Sequence, residues 1–214
     1  MKRKTLRNLI QQEVEQISET ILGESFRGFR LAMFKRLSDR TKMIEYAKKY
    51  LPFLNSGSTR TVFGLGSGKV LKIAIDEYGN DQNETEIEVF TGNKDISNYI
   101  TKIYDHDEKN NWIIAEAVKI IGENSELSSQ IAFPKDFFEI FVDLALDEDT
   151  YEETLAELFS LEEIFRNVEL NSLEEKLLKS AFIVTRHNVF DIAHPLQWGV
   201  TMDGRVVAAD YGLQ

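Results

Sequence analysis

A lysine inside the run Val70-Leu71-Lys72-Ile73-Ala74 is the first residue of this 214-residue chain whose setting invites chemistry. Alternation along a strand puts Lys72 on one face with Val70 and Ala74 and sends Leu71 and Ile73 to the other. Facing a cleft, its ammonium would be partly buried and would want anionic partners. On an edge strand the same lysine would serve only to discourage aggregation. Three carboxylates follow on a predicted helix, Glu84, Glu86 and Glu88. One of them is expected to hold Lys72, and the others to decorate the surface. Upstream, Ser56-Gly57-Ser58 makes a Gly/Ser turn between predicted strands, where backbone N–H groups can face a phosphate. Near the C-terminus stand Asp191 and Asp210. Asp210 closes the strand-like VVAAD and precedes Tyr211-Gly212, a setting that suits Mg²⁺ held by one or two carboxylates plus substrate phosphates. Asp191, 19 residues earlier, is a candidate base or second anchor.

Composition narrows the alternatives. There is no cysteine, hence no disulfide, thiolate nucleophile or Cys-ligated zinc. Only His106, His187 and His194 offer imidazole, so metal chemistry falls to carboxylates and to hard cations such as Mg²⁺. The net charge of -11 is uneven: residues 1–50 carry 12 Lys/Arg against 6 Asp/Glu, the remainder 13 against 30. Phosphate contacts need a basic surface, so nucleic-acid binding by the main body is disfavoured. The basic N-terminal part is left to an acidic partner, to nucleic acid or to the acidic body itself. No apolar run approaches the ~20 residues of a membrane span. No apolar segment with a small-residue cleavage site follows the basic N-terminus, so a cytoplasmic protein is expected.

The elements that must position these residues follow from periodicity. Leu6, Leu9, Ile10, Val14, Ile17, Ile21 and Leu22 recur at helical spacing. A second helical stretch is predicted from about Phe26 to Tyr50, with Phe29, Leu31, Met33, Phe34 and Leu37 toward a core. From residue 55 to 120 the pattern reads β-β-β-α-β-β, a mostly antiparallel sheet with one helix, GSGK and DHDEKNN being hairpin connections. Residues 121–185 read as acidic amphipathic helices. The last stretch turns strand-like, with MDGR as a hairpin turn. The expected domains are an N-terminal helical segment (1–50), a sheet lobe (51–120) and a mainly helical lobe (121–214).

The order of these parts resembles the protein-kinase-like fold: Gly turn, strand lysine, helix glutamate, hairpin, helices, Asp, hairpin, Asp-aromatic-Gly. The resemblance implies a minimal bilobal α+β fold with ATP and Mg²⁺ in the cleft between the lobes. Gly57 to Val62 stands where the glycine-rich loop would be, so Gly57, Ser58 and Val62 are implied nucleotide contacts. Lys72 resembles the phosphate-binding strand lysine, and Glu86, before Glu84, its helix partner. WIIAEAV resembles the hinge, with the backbone of Glu116 to Val118 reaching adenine. FDIAHPLQWG resembles the catalytic loop with Asp191 as base, and Asp210-Tyr211-Gly212 the metal-binding motif. More narrowly, the GS-x-R-x-V loop, QNE-x-E helix and WG…DGR…DYG ending resemble a group of small phage-encoded kinase-like proteins. The departures are specific. Arg60 stands where a third loop glycine would be, and Val189-Phe190 replaces His-Arg. Leu196 occupies the position of the second metal-ligand Asn, with Gln197 as the neighbouring substitute. The chain stops two residues after Gly212. The implied function is an ATP-dependent phosphotransferase of unspecified acceptor. The alternative is a pseudokinase or adaptor that binds a host or virion protein, the N-terminal helices being a candidate partner surface.

Overall fold

The computed structural model describes residues 28–121, 130–131, 137–147, 149–161, 169–187 and 197–209. The first predicted helix, the segment holding Asp191, and Asp210-Tyr211-Gly212 lie outside the described residues. By internal packing the chain divides into two units: residues up to Asn80 with 104–117, and residues 81–103 with those from 118 onward. Among the described residues no helix is long and apolar enough to cross a membrane.

In the first unit the β-branched and aromatic runs form strands β1 (Phe53–Ser56), β2 (Arg60–Gly66), β3 (Lys69–Ala74), β4 (Ile103–His106) and β5 (Trp112–Glu116). Their order is β1-β2-β3-β5-β4, and the β1/β2, β2/β3 and β3/β5 pairs are antiparallel. The β2–β3 connection is the two-residue turn Ser67-Gly68, with φ of 52° and 69°. Two left-handed residues in succession are what a twisted hairpin of this length needs. One face of the sheet carries Phe63, Leu71, Ile73, Trp112 and Ile114. Phe34, Met43, Ala47 and Leu51 from the N-terminal helices pack with them in one core. Residues 28–50 are thus part of the sheet's own hydrophobic core. The predicted single helix is two, α1 (Leu31–Phe34) and α2 (Arg40–Tyr50). Asp39 makes the break by accepting the Lys42 N–H at 2.9 Å as an N-cap. The break leaves Met33 49% exposed rather than in the core, while Phe34 is fully buried. Arg40 then ties α2 to the β4–β5 turn, donating from Nε to Asn111 at 3.0 Å and pairing with Glu77.

Helix α3 (Glu77–Gly92) begins in this unit, where Asp76 Oδ1 accepts the Gly79 N–H at 3.0 Å. A Cβ on Gly79 would lie 2.3 Å from the Thr59 carbonyl oxygen and 3.0 Å from Ala74, so only glycine admits this close approach.

The second unit holds the remainder of α3, a 3₁₀ turn at Lys94–Ile96, and helices α4 (Phe137–Asp147), α5 (Tyr151–Leu161) and α6 (Ser172–Thr185). Its core gathers Phe137, Phe141, Leu158, Leu177, Leu178, Ala181, Val184 and Trp198. Asn171 caps α6 through a reciprocal box with Glu174, which accounts for a carboxylate only 2% exposed. A three-stranded antiparallel sheet completes the unit, β6 (Val118–Ile120), β7 (Trp198–Thr201) and β8 (Val206–Ala208), in that order. The MDGR turn between β7 and β8 is as the sequence predicts, with Gly204 at φ +82°. Strand β6 is not foreseen by periodicity. It forms because Gly199 of β7 lets Val118 approach; a Cβ there would meet the Val118 side chain at 2.7 Å.

Candidate functional site

Lys72 occupies β3, which lies between β2 and β5, so it is not an edge-strand lysine. It stands opposite Val62 on β2 and Ile113 on β5, and is 8% exposed. Strand alternation makes its face Arg60, Val62 and Gly64 on β2, Val70, Lys72 and Ala74 on β3, and Ile113 and Ala115 on β5. This is the face opposite the α1–α2 layer. Apart from the two cations its side chains are small and neutral.

Arg60, which the sequence offers only as a departure from the third loop glycine, stands on this face as well. It is buried at 6% exposure and shares the β2 alternation with Val62. The signal was present in the hairpin: pairing TRTVFG with KVLKIA across GSGK brings Arg60 and Lys72 to one side.

The β1–β2 turn leaves Gly57 and Ser58 exposed. Gly57 donates its N–H to the Arg60 carbonyl at 2.9 Å, so that donor is committed to the hairpin itself. A Cβ on Gly57 would meet nothing nearer than that carbonyl, at 4.0 Å. No neighbour forces glycine at this position; its bareness leaves room above the turn. At the other end of the sheet Glu116 closes β5 opposite Lys69, and the Ala117 N–H donates to Gly68 O at 2.9 Å. Val118 enters β6 opposite Thr201. Of the three residues expected to reach adenine, Ala117 has its N–H already engaged.

On α3 burial separates the three carboxylates. Glu86 is fully buried, whereas Glu84 and Glu88 are not among the buried residues. The helical period explains the choice: Gly79, Gln82, Asn83, Glu86, Val89 and Phe90 form one stripe. Gln82 and Asn83 are buried with Glu86, and Val89 and Phe90 pack on the helical core. A carboxylate held at such a position needs compensation by a cation or several donors.

Gln197 is half-buried, just ahead of β7. Its carbonyl accepts the Ala209 N–H at 2.7 Å, which sets it across from the residue before Asp210. Among the described residues no group of three His, Asp or Glu could hold a metal. The candidates from the sequence, the Asp210 carboxylate and the Gln197 amide oxygen, are hard donors of the type Mg²⁺ takes. Asp191 and Asp210 themselves lie outside the described residues.

Among the described residues of the second unit, two groups are electrostatically marked. The Asp203 carboxyl is held down to about 2, first by the Thr201 hydroxyl and then by the Arg205 guanidinium. The Tyr151 phenol is pushed up to about 12 by burial, then by Glu175 and Glu152. Tyr151 also lines a cavity of ≈ 770 Å³ with Tyr99, Phe182, Ile183, Lys179 and Arg205. None of the predicted site residues that are described lines it.

No protein-family model and no curated protein matches the sequence. Among solved structures the chain is similar to the PknI kinase domain of Mycobacterium tuberculosis, at 12% identity and a TM-score of 0.38. That match covers 77% of this chain and 59% of the kinase domain. It is also similar to the protein in a streptomycin-ATP-APH(2")-IIa ternary complex, at 14% identity and a TM-score of 0.37, over 82% of this chain and 71% of the other. A third match is the GDP complex of aminoglycoside 2'-phosphotransferase-IIIa, at 13% identity and a TM-score of 0.38, over 82% and 73%. The chain therefore spans 59% of the length of the kinase domain it matches. At such identities and scores the likeness assigns no activity, substrate or residue role.

Proposed function

We propose that this protein binds a purine nucleoside triphosphate with Mg²⁺ and transfers its terminal phosphoryl group. The observation that carries the reading is Lys72, a cation 8% exposed on a central strand, on a face otherwise built of small neutral residues and one arginine. An ammonium on that face is a charge-assisted donor to phosphate oxygens, and a triphosphate is the ligand class that offers several. The apolar members of the face, Val62, Val70, Ala74, Ile113 and Ala115, suit the base and sugar. Glu86, buried on the helix that follows, is the proposed partner that orients the Lys72 ammonium. Gly57 and Ser58 border the phosphates, and the backbone at Glu116 and Val118 meets the purine. Asp210 and Gln197 would hold Mg²⁺, which would supply positive charge against the phosphates during transfer. Asp191 accepts the proton of the acceptor hydroxyl as its oxygen bonds to phosphorus and the nucleoside diphosphate leaves.

A second reading, nucleotide-binding without transfer, is favoured by two positions. Leu196 stands where a second metal-ligating amide would be, and Val189-Phe190 precedes Asp191 in place of a polar pair. Calorimetry of ATP with and without Mg²⁺ tests the common part. Binding is expected to weaken at least tenfold in Lys72→Met and in Asp210→Ala, each removing a charge-assisted contact. Silence at millimolar nucleotide overturns the proposal. Asp191→Ala is expected to spare affinity and abolish turnover; turnover absent from the wild type selects the second reading.

A further inference from the structure

In the second unit a cavity of ≈ 770 Å³ is walled by the rings of Tyr99, Tyr151 and Phe182, with Ile183 and Val206. That size suits a small molecule, whose sites are concave, mostly apolar and furnished with few polar groups. The walls are tied to one another. Ser180 on α6 donates its hydroxyl to the Val206 carbonyl of β8 at 3.0 Å, and the Ala208 N–H donates to the Tyr99 carbonyl at 2.8 Å. The Tyr151 and Phe182 rings meet edge to face, with centroids 6.2 Å apart. The Tyr151 hydroxyl is buried, yet it has no hydrogen-bond partner among the described residues. A buried phenol ordinarily finds one, because an unmet polar group is costly. Burial, then Glu175 and Glu152, push this phenol up to about 12, so it stays protonated and keeps its O–H to donate. Turning it toward the cavity forfeits no hydrogen bond. Of the charged residues that line the cavity, Asp149 pairs with Arg186 and Arg205 with Asp203. Lys176 and Lys179 are exposed, as is Glu152. An anion would meet the carboxylates beside the phenol, and a cation would meet the two lysines.

We infer that this cavity binds an uncharged, planar, mainly apolar small molecule through one acceptor oxygen, which takes the Tyr151 hydroxyl. The rings of Tyr99, Tyr151 and Phe182 supply the aromatic contacts for its body. The strands of the Lys72 face all belong to the other unit, so the inference does not depend on the nucleotide reading.

The test is calorimetry and methyl NMR of the full chain with coumarin, a neutral planar lactone, beside its carboxylate and aminomethyl derivatives. Coumarin is expected to bind and to shift the methyl signals of Ile183 and Val206. Each charged derivative is expected to bind about tenfold more weakly, since a charge taken into an apolar cavity without a partner is penalised. Tyr151→Phe keeps the ring and removes only the hydroxyl. It is expected to weaken coumarin about three- to tenfold, the loss of one neutral hydrogen bond. Its melting temperature is expected to stay level or rise, because the hydroxyl has no partner to lose. No binding at millimolar coumarin overturns the inference, and so do shifts confined to the methyls of Val62 and Val70. Equal affinity in wild type and Tyr151→Phe also overturns it, as does a preference for either charged derivative. Ile183 and Val206 signals that respond to protein concentration and not to coumarin make a second copy the occupant, and the inference falls.

Discussion

Asp203 gives the clearest statement at the scale of one residue. Its carboxyl ordinarily titrates at 3.8, and in the folded chain at about 2, because the Thr201 hydroxyl and the Arg205 guanidinium favour the charged form. A depressed folded value means stability that is complete above the ordinary value and lost as pH falls through the folded one. The β7–β8 turn is therefore expected to hold above pH ~4 and to lose the Asp203 contribution between ~4 and ~2. Carboxyl NMR of the titrating protein checks this, and an Asp203 midpoint near the ordinary value would refute it. The α3 carboxylates make a second test. Glu84→Gln and Glu88→Gln alter groups outside the core and are expected to shift stability by less than about 0.5 kcal/mol. Under the proposed Lys72 pairing, Glu86→Gln leaves a buried ammonium uncompensated and costs about 3–5 kcal/mol. Urea unfolding of the three variants separates them; similar midpoints would remove the pairing.

Between elements, two glycines decide which backbones can meet. Gly79 lets the first turn of α3 press on the Thr59 carbonyl, and Gly199 lets β6 lie against β7. Each alanine substitution forces a sub-van-der-Waals contact, so Gly79→Ala and Gly199→Ala are each expected to cost about 1–3 kcal/mol by overpacking. Thermal melts by circular dichroism check both, and an unchanged melt for either would mean that the backbones at that glycine do not meet so closely. These contacts also mark what a single sequence can and cannot disclose. The strands around Lys72 were legible because TRTVFGL and KVLKIAI favour strands and flank the GSGK turn, and the helix of Glu86 because Ile87, Val89 and Phe90 stand among acidic residues. Strand β6 was not, since Val-Lys-Ile is short, largely exposed, and made a strand only by its partner β7. The break at 35–39 was written in the sequence as Ser38-Asp39, a good cap. The apolar period running across it concealed the signal.

For the whole molecule, the described residues hold two hydrophobic cores, one under the five-stranded sheet and one among α4–α6. Charge and composition could not reveal that residues 28–50 belong to the first. The apolar positions of α1 and α2 look alike whether they meet a sheet, a partner or each other. Phe34 is fully buried there, between Phe29, Tyr46 and Trp112. Phe34→Ala is expected to cost about 3–5 kcal/mol in the sheet unit. Hydrogen exchange resolved by segment checks this; the loss of protection should fall on β2, β3 and β5. The chain's two tryptophans are divided between these cores, Trp112 at 2% exposure in the first and Trp198 at 0% in the second. Intrinsic fluorescence therefore carries two addresses. In Trp198→Phe the emission reports only the sheet, with the Lys35 ammonium 5.5 Å from the indole as a local perturbation. In Trp112→Phe it reports only the helices. Stopped-flow mixing of the two single-tryptophan proteins would time the two halves of the molecule separately, without an added label.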